Sequence, residues 1–212
     1  WLTGYDGWSF YVHQGVIITH DRDPVWWGRN MDANGAKRTC WLPHDHLRPY
    51  DDTYVQSNER HPMQHLSALL CEMGFETACI GVEMENYYFS AKAYVTMMTE
   101  LPRATLVDAT VLVNWQRAIK SHEEIAFMRR AARIAEKMVD TAIERARPGV
   151  RKNDLVAEVM RDAIIGVGED WGDYPSIVPM CPSGVDASAP HITWDGGEFE
   201  NDQCTFFELA GV

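Results

Sequence analysis

The stretch KSHEEIAFMRRAARIAEKMVDTAIERARPGV, residues 120–150, divides the chain into two parts. Ser121 and Glu124 have the spacing of a capping box, in which each side chain accepts a hydrogen bond from a backbone N–H at the start of a helix. Apolar residues then recur at helical spacing until Pro148-Gly149 ends the pattern. They are Ile125, Met128, Ala132, Ala135, Val139, Ala142 and Ala146. The sequence therefore predicts one long amphipathic helix at the start of a second domain.

The residues before this helix alternate between strand and helix patterns. Aromatic and β-branched residues predict strands, and apolar residues at helical spacing after a capping residue predict helices. The predicted elements are strands within residues 8–28, 77–84 and 104–113, helices after Pro62 and Ser90, and mostly loop over residues 30–52. Alternation of this kind is typical of an α/β domain, which we place at residues 1–114.

The residues after the long helix predict a second helix and short strands. Asn153 is predicted to cap this helix, and Gly166 is predicted to end it. Strand-like pieces follow at residues 176–180 and 204–209. We place the second domain at residues 115–212.

Composition indicates which partners the protein can have. The formal net charge of -12 disfavours nucleic acid and anionic membranes, because both present negative surfaces. The five cysteines include no CxxC pair and predict neither a disulfide framework nor a zinc knuckle, which is typical of a reducing cytoplasm. No membrane span or signal peptide is predicted. We expect a cytoplasmic protein with a small-molecule substrate, no nucleic acid and no membrane, whose start before Trp1 is missing.

His191 and Glu208 are the candidate catalytic residues. His191 follows Pro190 in a loop of small residues, where a lone histidine is more often structural than catalytic. In a strand, Phe207 and Leu209 would face one side and Glu208 the other. A carboxylate buried there must be paired, bind a metal or change its protonation state, whereas an edge strand would leave it in water. The residues alone leave both alternatives open, and they predict no histidine-based zinc site.

The opening segment WLTGYDGWSF places Trp1, Tyr5 and Trp8 around two glycines, with Asp6 among them. Aromatic faces and a carboxylate suit a cationic or delocalised ligand, through cation–π and charge-assisted contacts. An ordinary aromatic core is the other interpretation of this pattern.

These segments, in this order, resemble the creatinase/prolidase/methionine-aminopeptidase superfamily, and within it the creatinase-like branch. WLTGYDGWSF resembles the family's YLTGF strand, and residues 117–138 resemble its linker and first helix. ARPGVRKNDLVAEV resembles its turn and second helix, and SGVDASAPHITWDGG its SG.NAA.PH loop. The match covers essentially the whole chain. It implies an α/β creatinase-like N-terminal domain, the first part of an α+β pita-bread catalytic domain whose C-terminal part is missing, and a homodimer in which the N-terminal domain reaches the partner's active site.

The resemblance also assigns roles to the two candidate residues. His191 falls on the histidine that faces the substrate, and Glu208 falls where metal-dependent members place an aspartate ligand in a D.G motif. Here that motif reads Glu208-Leu209-Ala210, and the longer glutamate side chain would shift a two-metal site. We therefore expect a site without metal or other cofactor, as in creatinases.

The chemistry that this resemblance implies is metal-free hydrolysis of a cyclic amidine. Glu208 would bind the amidinium and activate water or attack the carbon, and His191 would protonate the leaving nitrogen. The expected alternatives are a metal-dependent Xaa-Pro dipeptidase with Glu208 as a ligand, a creatinase, and a non-catalytic pita-bread protein that only binds partners.

Four further residues receive supporting roles in this hypothesis. Tyr5, Asp6 and Trp8 are expected to bind the substrate, and Asp186 is expected to hold the loop that carries His191.

Overall fold

The computed structural model describes residues 1–9 and 11–212, and these form two compact units, Trp1–Ala118 and Ile119–Val212. The predicted strand region at residues 8–28 includes Phe10, which lies outside the described residues. Each unit is described by itself below.

The first unit begins with a three-stranded sheet of β1 (Gly15–Ile17), β2 (Val25–Arg29) and β3 (Leu47–Tyr50). β1 pairs antiparallel with β2, and β2 pairs parallel with β3. Trp26 and Trp27 are neighbours in β2 and therefore face opposite sides of the sheet, yet both are buried. Two separate apolar clusters, one on each tryptophan, cover the two faces. The strands predicted within residues 8–28 are confirmed as β1 and β2.

The loop predicted over residues 30–52 is wrong, because this segment holds helix α1 (Ala33–Thr39) as well as β3. α1 buries only Ala33 and Ala36 against Trp26, so it has no stripe of large apolar residues for the sequence to show. β3 contains Pro49, which strand patterns normally exclude. Both elements form because β2 offers them a buried surface.

The rest of the first unit follows the predicted alternation through the strand at residues 105–108, but the last helix of the unit is not predicted by the sequence. It consists of α2 (Pro62–Glu72), β4 (Cys79–Val82), α3 (Ala91–Glu100), β5 (Thr105–Asp108) and α4 (Leu112–Ala118), with β4 and β5 parallel. The Ser90 hydroxyl accepts a hydrogen bond from the N–H of Ala93 at 3.1 Å, which confirms the predicted cap. The strand predicted over residues 104–113 stops early, because the Asp108 carboxylate accepts a hydrogen bond from the N–H of Thr110 at 2.8 Å and turns the chain.

The second unit is built on α5 (His122–Arg145) and α6 (Lys152–Ile165). The predicted capping box is confirmed: the N–H of Glu124 donates to the Ser121 hydroxyl at 3.1 Å, and the N–H of Ser121 donates to the Glu124 carboxylate at 2.7 Å. The buried core between the helices and the following segments consists of Ile134, Met138, Ala142, Leu155, Val156, Val159, Ala163, Cys181 and Phe199.

The start of α6 differs from the prediction. Arg151 is its N-cap residue, and Asn153 lies inside the first turn with its amide donating to Asp154 at 2.7 Å. Arg151 pairs antiparallel with Glu198, so a tertiary backbone contact rather than a side-chain cap fixes the point where the helix begins.

A buried polar contact joins the two helices. The Thr141 hydroxyl donates to Asp162 at 2.6 Å, and the Lys137 ammonium lies 3.2 Å from the same carboxylate. Burial alone would raise the pKa of Asp162, but these two partners together hold it below its ordinary value. None of the helices in the described part of the chain has both the length and the apolar character of a membrane-spanning segment.

Candidate active site

The Glu208 segment pairs antiparallel with residues 180–184. The N–H of Met180 donates to the carbonyl of Glu208 at 3.1 Å, and the N–H of Glu208 donates back at 3.2 Å. Phe206 donates to the carbonyl of Pro182 at 3.0 Å in the same register. Because proline has no N–H, the pairing lacks the returning bond at this point. The strands predicted at residues 176–180 and 204–209 are therefore correct only in part: they meet as isolated bridges, and the pairing runs on to residue 184.

The two faces of this pairing are chemically different. Phe207 and Leu209 pack against the core of the second unit, whereas Phe206 is 40% exposed. Glu208 shares the outer face with Phe206 and is half-buried. The predicted alternation is thus confirmed, and Glu208 is neither fully buried nor fully in water. Within residues 1–9 and 11–212, no side chain makes a hydrogen bond or ion pair with its carboxylate.

Gly211 fixes the end of the Glu208 segment against α5. A Cβ atom at this position would lie 2.6 Å from the backbone nitrogen of Ala135 and 3.0 Å from the carbonyl oxygen of Ala131. Both atoms belong to helix backbone and cannot move aside, so only glycine allows this approach. The close contact sets where the segment runs and which face Glu208 occupies.

The His191 loop adjoins the other side of residues 180–184. The N–H of Cys181 donates to the carbonyl of Thr193 at 2.7 Å. His191 itself is exposed. The structure thus attaches the segments of both predicted catalytic residues to the same short stretch of chain, on its two opposite edges.

The C-terminal end of the same loop makes hydrogen bonds with the start of α6. The Asp195 carboxylate accepts a hydrogen bond from the N–H of Gly197 at 2.7 Å and from the Lys152 ammonium at 3.0 Å. These two donors, the Gly197 N–H first, lower the pKa of Asp195. Sequence reasoning missed Lys152 and Asp195, and the only signal was a basic residue near the predicted start of a helix, where the helix dipole disfavours positive charge.

Asp186 lies in the short 3-10 turn Gly184–Ser188 and is exposed. Its carbonyl accepts a hydrogen bond from the N–H of Ala189 at 2.8 Å, and the Ser188 hydroxyl donates to the carbonyl of Val185 at 2.9 Å. These contacts keep the turn compact just before Pro190. The role of the Asp186 side chain in holding the loop stays a prediction.

The three predicted substrate-binding residues of the first unit have different surroundings. Tyr5 packs on Trp26, with ring centroids 5.5 Å apart, and lines a cavity of about 860 Å³ within this unit. The backbone N–H of Asp6 donates to the Thr39 hydroxyl at 3.0 Å, and the Asp6 residue is exposed. Trp8 is 63% exposed and Trp1 is 60% exposed. Tyr5 packs against the buried cluster that contains Trp26. The substrate-binding roles of Tyr5, Asp6 and Trp8 stay predictions.

The described residues do not assemble a metal site by themselves. His44 and His46 stand one residue apart, a spacing found in metal sites, but they occupy a short 3-10 turn in which His46 Nδ1 lies 3.0 Å from the carbonyl oxygen of Pro24. Across residues 1–9 and 11–212, no group of three His, Cys, Asp or Glu side chains is arranged to hold a metal ion. Glu208 therefore has no companion ligands in this part of the chain.

Known proteins resemble the chain along its whole length. The profile of the creatinase/prolidase N-terminal domain matches residues 1–119, and that of metallopeptidase family M24 matches residues 126–212. Ectoine hydrolase of Halomonas elongata is 51% identical over 222 residues, which cover 100% of this chain and 55% of that protein. An uncharacterized hydrolase/peptidase of Sinorhizobium fredii, y4tM, is 38% identical over 213 residues, which cover 100% of this chain and 54% of that protein. The chain thus spans about half the length of these relatives.

Solved structures resemble the fold. A prolidase from Thermococcus sibiricus superposes with a TM-score of 0.71 at 15% identity, covering 97% of this chain and 52% of that one.

Proposed function

Because the chain belongs to the creatinase/prolidase family, we propose that the full-length protein is a hydrolase that opens the cyclic amidine ring of ectoine to N-acetyl-2,4-diaminobutanoate. The predicted fold class is confirmed: an α/β creatinase-like N-terminal domain precedes the first part of a pita-bread catalytic domain. The observation that carries the proposed substrate is the 51% identity to ectoine hydrolase over all of this chain.

The arrangement around residues 180–184 supports this chemistry. Two oxygens of the Glu208 carboxylate can accept two parallel hydrogen bonds from a planar amidinium. The same carboxylate can deprotonate the water that adds to the N–C–N carbon, or attack that carbon itself. His191 can then donate a proton to the departing nitrogen, because an imidazolium group is a common general acid. We assign Glu208 to the first role and His191 to the second.

The remaining predicted residues complete the proposal. Tyr5, Asp6 and Trp8 would bind the substrate, contributed to the partner's active site in a homodimer, and Asp186 would hold the His191 loop. We place the enzyme in the cytoplasm with a small-molecule substrate and no nucleic acid or membrane partner.

We propose that the reaction needs no metal. The support is Glu208-Leu209-Ala210, which departs from the D.G motif that metal-dependent members of the family carry at this point. The M24 profile is that of a metallopeptidase family, so a metal-dependent Xaa-Pro dipeptidase is the competing function. The two functions differ in substrate and in their response to chelation.

Proton NMR of ectoine with the full-length, EDTA-treated protein tests the proposal, with creatine and a Gly-Pro dipeptide in parallel. Ring opening of ectoine alone is the expected result. Glu208→Gln and His191→Ala should each lower kcat by about 10²–10⁴-fold, as loss of a general acid or base does. Glu200→Gln is the matched control, because Glu200 is an exposed carboxylate just before the turn that precedes the Glu208 segment. Dipeptide cleavage that appears only with added manganese would show that the proposal is wrong.

A further inference from the structure

Lys152 is a buried lysine at an unfavourable place in its helix. It is the first residue of α6, where the helix dipole disfavours positive charge, and its side chain is only 10% exposed. Burying an ammonium there requires a compensating partner. Neither helix capping nor helix dipole compensation accounts for a lysine at this position.

Asp195 supplies that partner. Its carboxylate lies 3.0 Å from the Lys152 ammonium. Cys181 is a further titratable group beside them, and burial raises the pKa of its thiol to about 11, so it is neutral in the physiological range. The negative charge facing Lys152 therefore comes from the loop that carries His191.

Lys152 makes two hydrogen bonds to this loop. Its ammonium holds the Asp195 side chain, and its backbone N–H donates to the carbonyl of Gly197 at 2.9 Å. Asp195 also accepts the N–H of Gly197, which closes a small ring of contacts. With Cys181 holding Thr193, the loop is fixed on both sides of its middle.

An ion pair of this kind contributes little net stability, because desolvation of the lysine offsets most of the attraction. The ion pair does fix the position of the loop relative to α6, since the buried Lys152 ammonium cannot move without losing its partner. We propose that the Lys152–Asp195 ion pair positions the His191 loop for proton transfer, an inference that rests on the proposed function. Lys152 is then a positioning residue, and His191 is the group that touches the substrate.

Three variants of the full-length protein test this role. Lys152→Met keeps the buried stem and removes the charge. Asp195→Asn removes the charge from the exposed partner and keeps an oxygen that can accept from Gly197. Lys137→Met is the matched control, because Lys137 makes an ion pair of 3.2 Å with Asp162 in the same unit but does not contact the loop.

Kinetics of ectoine opening give the first readout. Lys152→Met and Asp195→Asn should each lower kcat roughly ten- to hundred-fold with KM changed less than about two-fold, because a displaced acid group slows chemistry more than binding. Combined with His191→Ala, each should lower kcat by less than about two-fold further, since the group that it positions is already gone. An equal loss of kcat with and without His191 would overturn the inference.

The NMR signals of the His191 imidazole give a readout that does not depend on activity. They are identified by their loss in His191→Ala, and they should shift in Lys152→Met and Asp195→Asn but not in Lys137→Met. Unchanged signals in both loop variants would overturn the positioning role even if wild-type protein leaves ectoine intact. If Lys152→Met does not fold, Asp195→Asn alone decides the question, because its side chain is 54% exposed and its replacement leaves the core unchanged.

Discussion

His61 should make the stability of the first unit depend on pH. Its imidazole Nδ1 accepts a hydrogen bond from the backbone N–H of Met63 at 3.2 Å, and the backbone N–H of His61 donates to the Gln64 side chain at 3.0 Å, so His61 caps α2. Burial, and then the nearby charges of His13 and Lys92, lower the pKa of His61 from 6.5 to about 4. The folded protein therefore holds this histidine neutral, and a proton on Nδ1 would remove the capping acceptor.

The direction of this pH dependence follows from the pKa of His61 being lower in the folded protein than in the unfolded chain. The unfolded chain binds a proton on His61 below pH 6.5, whereas the folded chain does so only near pH 4. The stabilisation is complete above the unfolded value and is lost as the pH falls from 6.5 towards 4. The two values correspond to on the order of 3 kcal/mol of unfolding free energy, most of which is lost by about pH 4.5.

The variant His61→Asn separates titration from capping, because asparagine is a good N-cap residue that does not titrate in this range. Denaturant unfolding followed by tryptophan fluorescence at about pH 7.5 and about pH 4.5 gives the loss of stability for each protein. Wild-type protein should lose on the order of 2–3 kcal/mol more than the variant. The same substitution at the exposed His20 is the control. Equal losses in wild type and His61→Asn would refute the reasoning.

Three more substitutions test the second unit. Ser121→Ala removes the cap of α5 and should cost about 1 kcal/mol in denaturant unfolding followed by circular dichroism; no change would mean that the capping box is not stabilising. Met138→Ala leaves a cavity at a fully buried position and should cost about 2–5 kcal/mol of unfolding free energy by the same measurement. A loss below about 1 kcal/mol would contradict this prediction. Gly211→Ala forces a Cβ into the backbone of α5, so it should cost about 1–3 kcal/mol and reduce ectoine opening. Gly35→Ala, where a Cβ meets only Tyr5 at 3.8 Å, should do neither.

Local patterns were enough to predict most helices of this chain. The capping box at Ser121 and the cap at Ser90 both rest on contacts between residues three apart, which a sequence displays directly. Pro62 and the apolar spacing behind it place α2 for the same reason. The information that specifies these elements lies within one or two helical turns.

Elements that depend on distant partners escaped prediction. α1 is held by Ala33 and Ala36 against a tryptophan of β2, and alanines carry no visible apolar stripe. The start of α6 is set by pairing between Arg151 and Glu198, and Asp195 is 43 residues from Lys152. The sequence predicts His191 and Glu208 as candidates by residue type. It does not show that both of their segments contact residues 180–184, because that contact depends on the tertiary structure.

Strand register at Glu208 links the fold to the proposed chemistry. A shift of one residue would turn Glu208 into the core and Phe207 out to solvent, because side chains alternate across a strand. The observed register is held by Phe207 against the core, by the Ser183 and Thr205 hydroxyls at 2.9 Å, and by Gly211 on α5. The proposed mechanism assigns no chemical step to any of these residues. They nevertheless decide whether a carboxylate is presented on the open face, so their replacement should reduce ectoine opening while leaving both proposed catalytic side chains in place.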